Sequence, residues 1–170
     1  MSSNKEELIK LLDGFDVETL TEAGIEARFE KLESEGLEAT NGSVFRDLCN
    51  FRDSFRLLCH EERADVLPHM FSLIERAGDL EIGSGAPGPI THAIETPGAP
   101  YLHFLLASLS SHPTPSTLLM LNRWANGIEP SNELLLLLSE FEKAATHAKA
   151  SELARREARS FLEYQKSRFP

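Results

Sequence analysis

The apolar residues of this chain recur at helical spacing from its first turn onward, and no stretch alternates as a half-buried strand must. Ser3 and Glu6 form a capping pattern ahead of Leu8, Leu11 and Leu12, which predicts a short first helix ended by Gly14. Leu20, Ile25, Phe29 and Leu32 share one face of a second helix, with Glu18, Glu22, Glu26, Glu30 and Glu33 around its other sides. Gly36 and the Asn41-Gly42 turn close it. Val44, Leu48, Phe51, Phe55 and Leu58 then form a strong amphipathic stripe. Arg46, Asp47, Asp53 and Arg56 should face water, with Asp53 and Arg56 supporting each other on adjacent turns. The next helix runs from about Glu62 to Ala77, with Leu67, Met70, Phe71 and Ile74 inward. Pro68 should kink or split it, and Gly78 should end it.

Gly78 to Gly88 has the composition of a mobile loop, and no Lys-Ser/Thr pair follows to make it a phosphate cradle. Beyond it the helices are cut apart by Pro and Gly. Pro89, Pro100 and Pro115 sit where first turns begin, and Gly127 where a helix should end in the left-handed conformation. Ile90, Ala93 and Ile94 line one segment; Leu102, Leu105, Leu106 and Leu109 the next; Leu118, Leu121, Trp124 and Ala125 the third. The run LLLLLSEF is apolar on several sides and predicts the most buried helix. A last helix, from about Ser151 to Lys166, buries Leu153, Ala154, Phe161 and Leu162 and exposes Arg155, Arg156 and Arg159. Short one-striped helices are unstable alone and must pack in pairs. The expected fold is all-α, with eight or nine helices in a right-handed stack of antiparallel, HEAT-like pairs. It forms one domain over 1–170: acidic helices in 1–42, a helix pair in 43–77, a loop in 78–88 and a repeat region in 89–170.

Charge changes the picture more than composition does. The net charge is −10. Residues 1–42 carry 11 acidic and 4 basic side chains, residues 43–142 carry 13 and 6, and residues 143–170 reverse the balance with 3 and 7. Most of the chain therefore lacks the basic face that sustained nucleic-acid binding requires. The acidic excess serves solubility, or it forms a surface complementary to a basic protein. Cys49 and Cys59 fall on one expected helix, too far apart for a disulfide, so both should be reduced and at least one packed in the core. That usage, an N-terminus without an apolar signal region and the lack of a long apolar run point to a cytoplasmic protein outside the membrane.

Catalytic constellations are weak. His92 and Glu95 lie one turn apart, a spacing that can place two metal ligands on one helix face, but no second such motif joins them. There is no nucleophile elbow, and neither cysteine sits at a glycine-rich helix entrance that would activate it. The reading is a non-enzyme without metal, cofactor or small-molecule ligand. Asn122 and Arg123, polar beside Trp124, should tie helices together, through Glu95 or through a helix C-terminus.

Residues 88–126 carry the pattern G-P-I-x-H-x-I-E, then Y-L, then P-T-P-S-T-x-x-M-x-N-R. Its positions are Gly88, Pro89, His92, Glu95, Tyr101, Pro113, Thr114, Pro115, Thr117, Met120, Asn122 and Arg123. The pattern resembles that of HEAT-like bacterial immunity proteins of polymorphic-toxin and contact-dependent growth inhibition systems. It covers about a quarter of the chain, and its residues look like ones that shape helical hairpins. The resemblance implies a cytoplasmic, non-catalytic inhibitor of the C-terminal domain of a cognate toxin, commonly a nuclease. An acidic surface would suit such a target. Expected contributors, chosen for exposure and charge, are Glu26, Glu30, Glu33, Asp79 and Glu81. The alternative is a HEAT-like protein–protein adaptor with no toxin partner.

Overall fold

The computed structural model describes residues 4–17, 43–80, 88–96, 101–129 and 132–168, with the backbone alone for 43–49. Among them are eight helices and no strand: α1 (Asn4–Asp13), α2 (Ser43–Arg56), α3 (His60–Ala77), α4 (Pro89–Ile94), α5 (Leu102–Ser111), α6 (Pro115–Asn126), α7 (Asn132–Thr146) and α8 (Glu152–Ser167). The all-α expectation holds. The expected helix around Leu20–Leu32 lies outside the described residues, as do Ser3, Pro100 and most of the glycine-rich loop. The chain divides into two compact units, Met1–Ala99 with α1–α4 and Pro100–Pro170 with α5–α8.

In the first unit α1 packs on α3 and α2, and α4 packs on the same two helices. The C-terminal half of the α2 stripe is inward as its spacing requires. Phe51, Phe55 and Leu58 are buried, and the Phe51 and Phe55 rings stack with centroids 6.1 Å apart. One local expectation, the placement of Cys59, fails here. Leu11 is 40% exposed, because Leu8 and Leu12 alone fill the inward positions of α1. Asp53 takes its hydrogen bond from its neighbour Arg52 (2.9 Å), and the charge of Arg56 on the next turn adds the expected weak support. Cys59 is not on α2: that helix stops at Arg56, and Cys59 is the residue that caps α3.

Helix α3 also runs unbroken through Pro68. The proline sits on the exposed face, so its missing N–H and its ring fall on the solvent side, while Val66, Leu67, Met70, Phe71, Leu73 and Ile74 hold the other face in the core. Gly78 ends α3 at φ +60°, and its N–H donates to the Ile74 carbonyl (3.1 Å). Pro89 opens α4 at its first position, behind Gly88.

In the second unit α5 and α6 are joined through His112, Pro113 and Thr114, and α7 and α8 through 147–151. Helix α5 packs on both α6 and α7, and α8 packs on both α6 and α7. Pro115 opens α6 as expected, behind a reciprocal cap. The Thr114 hydroxyl accepts from the Thr117 N–H (3.2 Å), and the Thr117 hydroxyl accepts from the Thr114 N–H (3.0 Å). Gly127 does end α6, but at φ −87° and not in the left-handed region. Its N–H closes a tighter turn onto the Trp124 carbonyl (3.0 Å), which needs no positive φ.

The leucine run is not the most buried helix. Leu134, Leu137, Phe141 and Ala144 face inward, whereas Leu135 and Leu136 are 64% and 68% exposed. Five leucines in a row have no period, so packing chooses the face. That choice is made against α8, where Ala154 and Ala158 are fully buried and Phe161 meets Phe141 at 6.1 Å. Leu153, Phe161 and Leu162 are half-buried, less than expected.

Candidate docking surface

A helix leaves its last carbonyls without partners, and this chain meets that need repeatedly with arginine. In the first unit Arg63 donates to the Arg56 carbonyl at the end of α2 (2.6 Å). Arg76 donates to the carbonyls of Leu12 (2.7 Å) and Phe15 (2.9 Å) at the end of α1. In the second unit Arg155 donates to the His147 carbonyl beyond α7 (3.0 Å), and Arg168 donates to the Ala125 carbonyl of α6 (3.3 Å). Cations so placed oppose the negative end of each helix dipole.

Asn122 is a tie between helices, as expected, and its partner is one the sequence reading did not name. Gln165 Nε2, on α8, donates to Asn122 Oδ1 (2.7 Å) and to Asn126 Oδ1 (2.8 Å), while Gln165 Oε1 accepts from Arg168 (2.8 Å). Gln165 is fully buried and Asn122 nearly so. Arg123, next along, is exposed. Gln165 was legible as a polar residue in register with Ala154, Ala158 and Phe161, the signature of a buried partner-seeking amide.

The other residues of the 88–126 pattern occupy structural positions. Gly88 and Thr114 precede helices whose first residues are Pro89 and Pro115. Tyr101 is buried at the start of α5, with its ring edge-to-face on Trp124 at 5.2 Å. Met120 and Thr117 are fully buried. His92 is exposed and Glu95 half-buried at the end of α4. Among the described residues no group of three or more His, Cys, Asp or Glu side chains is placed to hold a metal ion.

Cys59 is exposed and free of any disulfide. The backbone N–H of Glu62 lowers its thiol pKa. That effect is outweighed by the Glu61 carboxylate, by partial desolvation and by the Glu62 carboxylate, so the thiol is held above its ordinary value. The Glu62 carboxylate accepts from the Cys59 N–H (3.0 Å), which makes this pair a helix cap.

Charge is divided between the units more sharply than along the sequence. The first carries 20 acidic and 9 basic side chains, a net of −11; the second carries 7 and 8, a net of +1. Of the five acidic residues chosen from sequence, Asp79 is described: it is exposed in the turn that follows α3. Glu26, Glu30, Glu33 and Glu81 lie outside the described residues. Glu6, Glu7, Asp13, Asp16, Asp53, Glu61 and Asp65 are further exposed carboxylates of the same unit. No described helix is long and apolar enough to cross a membrane. No family model, curated protein or solved structure matches this chain.

Proposed function

We propose that this protein is a cytoplasmic, non-catalytic immunity protein, and that it neutralises the C-terminal domain of a cognate bacterial toxin by docking its acidic first unit on a basic face of that domain. The observation that carries the reading is the charge division: a net of −11 on residues 1–99 against +1 on residues 100–170. A field of that size speeds encounter with a basic partner and orients it before contact. A nuclease is the target class such a surface suits, because its active face must be basic to hold phosphate.

The resemblance over residues 88–126 supports the family, and the pairing of helices in the second unit supports its HEAT-like character. With α5 on α7 and α6 on α8, two hairpins joined by short turns stack first helix on first and second on second, as solenoid repeats do. The alternative, an adaptor without a toxin, draws on Leu135 and Leu136, two large apolar side chains held in water on α7.

The test is capture of the toxin domain encoded by the adjacent gene with the full chain, repeated as salt is raised. The proposal expects a one-to-one complex that weakens steeply with salt. A complex indifferent to salt removes the electrostatic mechanism, and no complex removes the function.

A further inference from the structure

We infer that α1 is a releasable strap, tethered to α3 through polar contacts along its length, that lifts off while α3 stays folded. At ten residues it is too short to hold a helix by itself in water, so docking keeps it folded. Its buried side chains among the described residues are Leu8 and Leu12. Against these stand seven buried positions in α3: Val66, Leu67, Met70, Phe71, Leu73, Ile74 and Ala77.

Polar contacts with α3 add to that hold at both ends of α1. Lys5 Nζ lies 2.8 Å from Asp65 Oδ2. Asp13 Oδ1 lies 2.7 Å from His69 Nδ1. Arg76 donates to the carbonyls of Leu12 and Phe15. The start of α1 is held near the start of α3 and its end further along the same helix, so the tethers act at both ends of the strap. The side chains of the first two pairs are 30% to 60% exposed, where water competes with each contact, and salt screens the Lys5–Asp65 pair. A segment with few buried apolar contacts and solvent-exposed tethers opens locally at a fraction of the cost of unfolding the unit. Opening uncovers Leu8, Leu12 and the part of α3 beneath them, an apolar seat concealed in the closed form. This inference does not depend on the toxin reading.

Amide hydrogen exchange of the full chain, followed by mass spectrometry on peptides covering 8–13 and 66–74, tests it. The expected result is α1 exchanging at least about tenfold faster than the centre of α3. A Lys5→Met variant should speed α1 a further two- to fivefold, roughly the worth of one exposed ion pair, and leave α3 unchanged. High salt should raise the ratio of α1 to α3 exchange in the same direction. The ratio is the proper readout, because salt also relieves the self-repulsion of the acidic unit as a whole. One shared rate for both helices overturns the inference. So does a Lys5→Met variant that speeds both alike or neither, and so does a ratio that salt leaves unmoved.

Discussion

Gln165 and Asn122 lie 43 residues apart in the chain, and their side-chain amides meet at 2.7 Å inside the second unit. The bond joins α8 to α6, and the Asn122 side-chain oxygen takes its hydrogen bond from Gln165, which also reaches Asn126 and Arg168. Removing Gln165 therefore leaves a buried polar group without its bond. Gln165→Leu should destabilise the protein by about 1–3 kcal/mol in urea unfolding. Joining it to Asn122→Leu should cost less than the sum of the two single changes, which a double-mutant cycle measures. Additive losses would mean that the amides act separately.

The paired caps at Thr114 and Thr117 predict a second, smaller effect. Thr114→Ala removes the hydroxyl that accepts the Thr117 N–H and should cost about 1 kcal/mol, with Thr114→Ser recovering most of it. The urea midpoint of the three proteins at equal slope is the measurement.

Gly78→Ala isolates a backbone term. The position has φ +60°, and an added Cβ would meet nothing within 4 Å, so the loss comes from conformation and not from a clash. About 1–2 kcal/mol is expected. Gly127→Ala, at φ −87°, should cost less, and thermal unfolding of the two variants would reverse that order if the assignment of these helix ends were wrong.

Much of this fold was legible because period and punctuation agreed. The stripe through Phe51, Phe55 and Leu58 and the starts at Pro89 and Pro115 follow from local rules that tertiary packing had no reason to override. Where the sequence lacks a period, or offers two solutions of similar cost, it is silent. The leucines of 134–138 take their register from α8. Cys59 could continue one helix or cap the next, and the Glu62 carboxylate decides for the cap. The candidate docking surface was legible as a sign of charge only. Which unit carries it depends on the chain dividing near residue 99, one of several Pro/Gly breaks that local pattern alone does not rank.

The leucine register gives its own contrast. Leu137 is buried, and Leu137→Ala should cost about 2–5 kcal/mol. Leu136→Ala, beside it and exposed, should change stability by less than about 0.5 kcal/mol. Equal losses in denaturant titrations would place both leucines in the core.

Two exposed pairs make opposite contributions to the pH profile. The hydrogen bond that Lys5 donates to the Asp65 carboxylate holds the lysine above its ordinary 10.5, so the lysine's small contribution is present below that pH and is lost as pH rises through the raised value. The bond from Arg52 holds Asp53 below its ordinary 3.8, so its contribution is present above that pH and is lost as pH falls through the lowered value. Lys5→Met should therefore flatten the alkaline limb of a stability profile, and Asp53→Asn the acid limb.

The claim at the centre of this account is that an acidic unit recruits a basic toxin domain. The rate at which the full chain associates with the domain encoded beside it, followed by stopped flow over a range of salt, tests that claim most directly. Association should be fast, should slow about tenfold or more between roughly 0.02 and 0.3 M salt, and should slow likewise when Glu7, Asp16 and Asp79 are changed together to lysine. Association at one rate across that range, unchanged by the lysines, would contradict it.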